Sequence, residues 1–168
     1  ERIIEELSMI EGVYVPALYP HGRADAAKIN KRTVDIKKSF FPVKQIVPNL
    51  ITVHSRLNIE ISRGCTHRCR FCQASGLYSP WRERDTDFIL SAIEKGVPAT
   101  GFDQVSLLSL SATDHSDIDK IVESTNKYAV KNNISLSLPS LRCGKKSIGL
   151  LQNLVSPRRA SITLAVET

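Results

Sequence analysis

The chain has 168 residues, of which 42% are hydrophobic and 24% are charged, and its formal net charge is +6 at pH 7. No apolar run approaches the length of a membrane span, so a membrane-spanning chain is excluded and no membrane partner is expected. The sequence has four cysteines and no secretory signal, which favours a reduced, cytoplasmic location.

The first 56 residues are predicted to form an irregular linker. Charged residues without a sustained period run to Ser39 and are followed by Pro42 and Pro48. Between residues 21 and 44, seven Lys or Arg stand against two Asp, a local charge of +5. Aromatic residues are not interleaved with these charges as they are in base-stacking surfaces. A solvated connecting segment is therefore favoured over an RNA-binding strip, and RNA stays an open partner.

Strands and helices alternate from Leu57 onwards. Strands are predicted at Leu57–Ser62, Gln104–Leu110, Ile134–Leu138 and Ala160–Val166. Helices are predicted at Asp87–Lys95 with Gly96 and Pro98 as stop signals, from Ser116 or Asp117 to Asn132–Asn133, and at Ser147–Leu154. Single helices between strands indicate an α/β fold with a parallel sheet, in which chemistry takes place on loops at the carboxyl ends of the strands.

Three cysteines lie close together directly after the first predicted strand. Cys65, Cys69 and Cys72 form a C-x3-C-x2-C triplet, which indicates a metal site. A structural or electron-relay iron–sulfur cluster usually takes four thiolates, so three leave one iron open to an outside ligand. A zinc site would need a fourth ligand from His67 or the distant Cys143, and it is the less favoured alternative. Cys143 is expected to pack as a small hydrophobic residue.

The spacing, with Phe71 between the second and third cysteines, resembles the signature of the radical S-adenosylmethionine (radical SAM) superfamily. The resemblance implies a [4Fe–4S] cluster whose open iron binds S-adenosylmethionine. It also implies an external one-electron donor such as a flavodoxin or ferredoxin. The electron cleaves S-adenosylmethionine reductively, which releases a 5′-deoxyadenosyl radical. The alternative is an iron–sulfur or zinc module that serves electron transfer or structure without this chemistry.

The resemblance extends to one subgroup, in which the catalytic barrel follows a cobalamin-binding-like domain. It rests on several short stretches: Gly12–Pro16, Phe41–Pro48, Val53–His54, Ser62–Cys65, Phe71–Ala74, Val105–Ser111 and Leu138–Arg142. In that subgroup, residues 1–56 correspond to the tail of an upstream domain and a linker. The sequence contains no Asp-x-His-x-x-Gly element of the kind that donates histidine to cobalt. Cobalamin therefore stays an open question.

Further cofactor contacts are expected at the other strand ends. After the second strand, the superfamily often has Gly-Gly-Glu to hold the amino group of S-adenosylmethionine, whereas this chain has a hydroxyl-rich turn with Ser109, Ser111 and Asp114. An N-cap role for Thr113 or Asp114 is at least an equal alternative. Arg142 and Glu167 follow the third and fourth strands, where the superfamily contacts the ribose and methionyl groups. The alternative is that Arg142 and Glu167 are charged surface residues without a role in cofactor binding.

Arginines are concentrated around the cysteines. Five Arg against one Glu between residues 63 and 84 give this segment a charge of +4. Positive neighbours stabilise thiolates and a ligand carboxylate, so these guanidiniums are expected to surround the cluster.

The sequence is expected to be a piece of a longer protein. It begins at Glu1 and ends at Thr168 directly after an apolar run, and it has four predicted strands where a radical SAM core has six strand and helix units. Residues 57–168 are therefore predicted to be the N-terminal part of an incomplete parallel (β/α) barrel, with the remainder of the chain as its partner. In isolation it is expected to bind a cluster and to turn over poorly.

Overall fold

The structure, a computed structural model, describes residues 2–19, 31–50, 52–152, 154 and 161–165. Contacts divide the chain into two units, residues 1–34 and 35–168. In the first unit, helix α1 spans Arg2–Ser8, and a single 3₁₀ turn spans Pro16–Leu18. The predicted irregular linker thus includes a helix. Among the described residues, no helix combines the length and the apolar character needed to cross a bilayer.

The second unit holds the predicted sheet. Its strands are β1 (Leu57–Glu60), β2 (Ser62–Arg63), β3 (Arg82–Glu83), β4 (Gln104–Leu108), β5 (Ser135–Arg142) and β6 (Ser161–Ala165), and its helices are α2 (Ala74–Leu77), α3 (Thr86–Thr100), α4 (Ile118–Asn132) and α5 (Lys145–Gln152). Strands β1, β4, β5 and β6 form a parallel four-stranded sheet in that order, and β2 pairs with β3 in an antiparallel ladder. The predicted α/β class with parallel strands and intervening helices is confirmed.

One face of the sheet forms the hydrophobic core. Leu57 and Ile59 of β1 lie in register with Val105 and Leu107 of β4, and all four are fully buried. Helix α3 packs on β1 and against α4, and α4 packs on β5. Successive side chains of a strand point to opposite faces of the sheet. The apolar residues, which occupy every second position, therefore all point to the face that the helices cover.

The opposite face of the sheet is polar. Asn58, Ser106 and Ser137 occupy one row across β1, β4 and β5. Ser106 and Ser137 are buried, and Arg56 Nη1 donates a hydrogen bond to Ser137 Oγ at 3.3 Å. Buried hydroxyls need such partners, since an unpaired polar group costs free energy.

Helix α3 is longer than the sequence predicts, because Gly96 and Pro98 do not end it. A Cβ atom at Gly96 would lie 2.8 Å from Leu57 Cδ2, so this glycine permits the close packing of α3 on β1. Thr100 Oγ1 donates to the Gly96 carbonyl at 2.7 Å within the last turn. The helix ends at Gly101, which adopts a left-handed conformation with φ +72°.

Strand β5 also continues past the predicted stop. It runs through Pro139, where the sequence predicts an end, and its pairing with β6 shifts register between Leu138 and Leu141. Ser140 has φ +59°. An irregularity of this kind is where a strand tolerates proline, because the missing N–H falls outside the regular ladder.

Part of the predicted linker packs on the core. Ile36 is buried, and Ser39 Oγ accepts a hydrogen bond from Arg84 Nη2 at 3.0 Å. The buried Arg84 guanidinium lies 5.8 Å from the ring centroid of Phe41 and 4.7 Å from that of Phe88. Burial lowers the pKa of Arg84, and the two ring faces offer a partial substitute for lost water.

Candidate metal centre

The three clustered cysteines lie on one loop, residues 64–73, which we call the cysteine loop. It follows β2 and therefore lies beyond the carboxyl end of β1, as the sequence predicts. Cys65, Cys69 and Cys72 are half-buried, whereas Cys143 is exposed at the end of β5. The Cys72 N–H donates to the Cys69 carbonyl at 3.0 Å, so these two ligand positions share one tight turn.

Gly64 fixes the start of the cysteine loop. Its φ is +97°, a conformation that residues with a side chain rarely adopt. A Cβ atom at this position would lie 2.8 Å from the Pro80 carbonyl oxygen and 2.9 Å from that of Tyr78. The β2–β3 ladder brings these backbone segments together, so only glycine fits here.

Three of the five nearby arginines make contacts away from the thiols. Arg63 donates twice to the Glu60 carboxylate, with both distances 2.7 Å. Arg82 Nη2 donates to the Tyr78 carbonyl at 3.1 Å, and Arg84 Nε donates to the Glu60 carbonyl at 3.2 Å. The sequence predicts that these guanidiniums surround the cluster. Instead, the three side chains contact the strands and turns next to the cysteine loop.

An arginine contact to a cysteine comes from a different strand. Arg142 Nη1, at the end of β5, lies 3.9 Å from Cys69 Sγ. The Ser147 hydroxyl of α5 donates to the Arg142 carbonyl and so ties this strand end to the following helix. The contact places a guanidinium donor beside the sulfur of a predicted cluster ligand. The sequence predicts Arg142 as a cofactor contact, and that role stays a prediction.

Asp114 ties the cysteine loop to the turn after β4. Thr66 Oγ1 donates to Asp114 Oδ2 at 2.7 Å, and His67 Nε2 lies 2.8 Å from the same oxygen without the alignment of a hydrogen bond. The sequence placed Asp114 at the correct strand end but gave no sign of this tether. Burial raises the pKa of the Cys65 thiol, and the Asp114 carboxylate raises it further against a backbone hydrogen bond at His67.

We expect Asp114→Ala to loosen the cysteine loop while leaving the fold intact. The change removes both contacts to the loop, so hydrogen exchange of the Cys72 amide, which is bonded to the Cys69 carbonyl, should rise about tenfold or more, in line with the loss of about 1.5 kcal/mol from a hydrogen bond to a charged group. Hydrogen exchange with mass spectrometry measures this directly. Asp119→Ala, an exposed carboxylate on α4, is the matched control, and equal exchange in the two variants would contradict the tether.

The donor set of the loop fits an iron–sulfur cluster. Three cysteines within eight residues supply the soft thiolate ligands that such clusters require. Within the described part of the chain, no three side chains of His, Cys, Asp or Glu stand in an arrangement that holds a metal ion. Metal binding to thiols releases protons and couples to local folding, so we expect the three sulfur atoms to converge as a cluster forms.

A cavity of about 430 Å³ opens beside the cysteine loop, at the carboxyl ends of β1 and β4. Its lining residues are Glu60, Ser62, Arg63, Gly64, Tyr78, Leu108, Ser109, Leu110 and Ser140. Such a volume is in the range of small-molecule sites. Unlike the three cysteines, most of these residues form no sequence motif. Only their position at the ends of predicted strands could have identified them as lining a site.

Of the predicted cofactor residues in the described part of the chain, Ser109 lines this cavity, whereas Phe71, Ser111 and Arg142 are not among its lining residues. The Ser109 Oγ lies 2.7 Å from Ser62 Oγ and accepts the Ser111 N–H at 3.0 Å. Ser111 is 1% exposed, and its hydroxyl has no hydrogen-bond partner among the described residues. Phe71 is 68% exposed on the cysteine loop. Glu167 lies outside the described residues. The cofactor roles of these residues stay predictions.

Comparison with known proteins gives two similarities. Residues 59–166 match the family model of the radical SAM superfamily. The whole chain is similar to an uncharacterized protein of Methanocaldococcus jannaschii, at 28% identity over 174 residues, which cover 99% of this chain and 35% of the relative. The chain thus spans about a third of the length of that relative.

Proposed function

The chain belongs to the radical SAM superfamily, and we therefore propose that it binds a [4Fe–4S] cluster through Cys65, Cys69 and Cys72 and cleaves S-adenosylmethionine. The observation that carries the proposal is the position of the three thiols at the carboxyl end of β1, beside a cavity of about 430 Å³. In parallel α/β folds, ligands bind at this edge of the sheet.

The cluster, when bound, supplies one electron to S-adenosylmethionine, whose reductive cleavage yields a 5′-deoxyadenosyl radical. The chain's own residues hold and orient these groups. Asp114 tethers the loop that carries the ligands, and Arg142 places its positive charge beside Cys69. We propose that Phe71, Ser109, Ser111, Arg142 and Glu167 contribute to the S-adenosylmethionine site.

Ser111 is a specific candidate for a polar contact to S-adenosylmethionine. Its hydroxyl is buried and lacks a partner among the described residues, while its backbone N–H is fixed by Ser109. A buried hydroxyl without a partner loses about 1–3 kcal/mol, which a ligand acceptor or donor could recover. Ser109, by contrast, already has two partners, so its contribution is to fix the turn.

Metal content and product formation test the proposal. Anaerobic reconstitution should give about four iron atoms and four sulfides per chain, whereas the alternative zinc module would take about one zinc. Reduction in the presence of S-adenosylmethionine should then release 5′-deoxyadenosine, which chromatography detects. A chain that holds zinc, or that holds iron but releases no 5′-deoxyadenosine in either the isolated or the full-length protein, would contradict the proposed activity.

We further propose that the chain belongs to the subgroup in which the barrel follows a cobalamin-binding-like domain, because short stretches of sequence between Gly12 and Arg142 resemble that subgroup. Residues 1–56 are then the tail of that domain and a linker, and residues 57–168 the first part of the core. The external electron donor is a flavodoxin or ferredoxin. The absorption spectrum of the full-length protein would show whether it binds cobalamin. RNA binding has only the basic stretch between residues 21 and 44 in its favour.

A further inference from the structure

Strand β5 carries one residue more than the strand beside it. From Leu138 to Leu141, β5 advances by three residues. Over the same stretch β6 advances by two, from Ile162 to Leu164. One extra residue in one strand of a pair is a β-bulge, which is rare between parallel strands and is often found next to active sites. This bulge lies near the carboxyl end of β5, at the edge of the sheet where the cysteine loop also lies.

The bulge changes which residues of β5 face the core. Leu138 is buried in the core, so strict alternation would send Arg142 to the same face and Leu141 to the opposite, polar face. Instead, Leu141 is fully buried and belongs to the core. Ser140 lines the cavity beside the cysteine loop, and Arg142 Nη1 lies 3.9 Å from Cys69 Sγ. The extra residue thus leaves both polar residues on the side of the proposed site.

Ser140 accommodates the extra residue in a conformation that costs free energy. Its φ is +59°, in the left-handed region that residues with a side chain disfavour. Among the described residues, Asn133 is the one other non-glycine residue with a positive φ, and it ends helix α4, where asparagine commonly adopts this conformation. Ser140 lies within a strand. Backbone strain that a strand retains in this way is a feature of functional sites.

We infer that Ser140 is a positioning residue of the proposed site, because its left-handed backbone forms the bulge that turns Arg142 toward Cys69. The inference rests on the proposed function, in which Arg142 contributes to the S-adenosylmethionine site. The role belongs to the backbone conformation of Ser140 and not to its hydroxyl. Loss of the bulge would turn the guanidinium to the opposite face of the sheet. The Ser147 hydroxyl, which donates to the Arg142 carbonyl, fixes the turned strand end to α5.

Two substitutions at Ser140 separate the backbone from the hydroxyl. Ser140→Gly removes the hydroxyl but favours a positive φ, so the dissociation constant of S-adenosylmethionine for the reconstituted protein should stay within about twofold. Ser140→Thr keeps the hydroxyl but adds a β-branch, which disfavours a positive φ, so the dissociation constant should rise about fivefold or more. The reverse order of the two variants would indicate a hydroxyl contact, and it overturns the inference, as does equal affinity in both.

Asn133→Thr is the matched control for backbone strain. Asn133 has φ +54° and precedes β5 at the amino end of the sheet, away from the cysteine loop. The same β-branched residue should destabilise the chain in urea denaturation about as much as Ser140→Thr does, yet leave the dissociation constant of S-adenosylmethionine within about twofold. An equal loss of affinity in the two variants overturns the inference, since general destabilisation would then explain both.

A double-mutant cycle with Arg142 tests whether Ser140 acts through the guanidinium. In the unmodified chain, Arg142→Gln should raise the dissociation constant of S-adenosylmethionine about tenfold, as expected for the loss of a hydrogen bond from a charged group. In Ser140→Thr the guanidinium is already displaced, so the same change should have an effect of less than about twofold. Effects that multiply overturn the inference, and so does an Arg142→Gln variant with unmodified affinity.

The contact between Arg142 and Cys69 can also be measured without cluster or S-adenosylmethionine. In nuclear magnetic resonance spectra of the cluster-free chain, Overhauser contacts between the two side chains should be present in the unmodified chain and in Ser140→Gly, and absent in Ser140→Thr. Retention of these contacts in Ser140→Thr overturns the inference, whatever the affinity for S-adenosylmethionine. The expected pattern of contacts in a protein that binds no S-adenosylmethionine after reconstitution supports the role of Ser140 and contradicts the proposed function.

Discussion

Replacing Cys65, Cys69 or Cys72 with Ala is expected to reduce iron incorporation from about four atoms per chain to near none. A cluster held by three thiolates already has one iron open to an outside ligand, so the loss of another thiolate leaves only two protein ligands. Alanine offers no donor atom in its place. Iron and sulfide analysis after anaerobic reconstitution measures the effect, and circular dichroism of the unloaded variants checks that they fold.

Cys143→Ala is the matched control for these three variants. Cys143 is exposed at the end of β5. It directly follows Arg142, whose guanidinium contacts Cys69 on the cysteine loop. The proposed function predicts that its removal leaves iron content unchanged. Loss of the cluster in Cys143→Ala would favour a four-cysteine centre and contradict an iron that is open to S-adenosylmethionine.

Gly64→Ala is expected to destabilise the fold by about 3 kcal/mol, from left-handed strain together with steric overlap. The positive φ alone disfavours alanine, and the added Cβ would lie 2.8 Å from the Pro80 carbonyl oxygen. Backbone atoms of the β2–β3 region would have to move apart, and the cysteine loop would move with them. Urea denaturation measures the free energy of unfolding, and iron content reports the effect on the loop.

Two other glycines separate the causes of that loss. Gly101 has φ +72° but open space where a Cβ atom would lie, so Gly101→Ala should cost only about 1 kcal/mol from strain. Gly76 has neither strain nor a close neighbour, and Gly76→Ala should change stability by less than about 1 kcal/mol. If Gly64→Ala cost no more than Gly101→Ala, the steric account of the loop would fail.

The fold class followed from the sequence because its main signals are local and repetitive. The apolar alternation of β1 and the amphipathic period of α4 each report burial on one face, and both elements occur where predicted. Gly96 misled the prediction of the end of α3, because it serves contact with Leu57. That contact joins residues far apart in the sequence, so no local pattern could reveal it.

Some features of the candidate site could likewise be predicted from the sequence, and others could not. The cysteine spacing and the strand-end position of Arg142 could be read directly from the sequence. The Asp114 tether and the burial of Arg84 against two aromatic rings depend on contacts between residues far apart in the sequence. Arginines beside a cysteine triplet could not be sorted from sequence into those near the thiols and those that brace the scaffold.

Electron paramagnetic resonance of the reduced, anaerobically reconstituted protein, with and without S-adenosylmethionine, tests the central claim most directly. An open iron beside the cavity at the strand ends predicts a [4Fe–4S] signal whose g values and line shape change when S-adenosylmethionine is added. A reduced cluster signal that is identical in the presence and absence of S-adenosylmethionine would contradict the claim, since the cluster would then be a closed structural or relay centre.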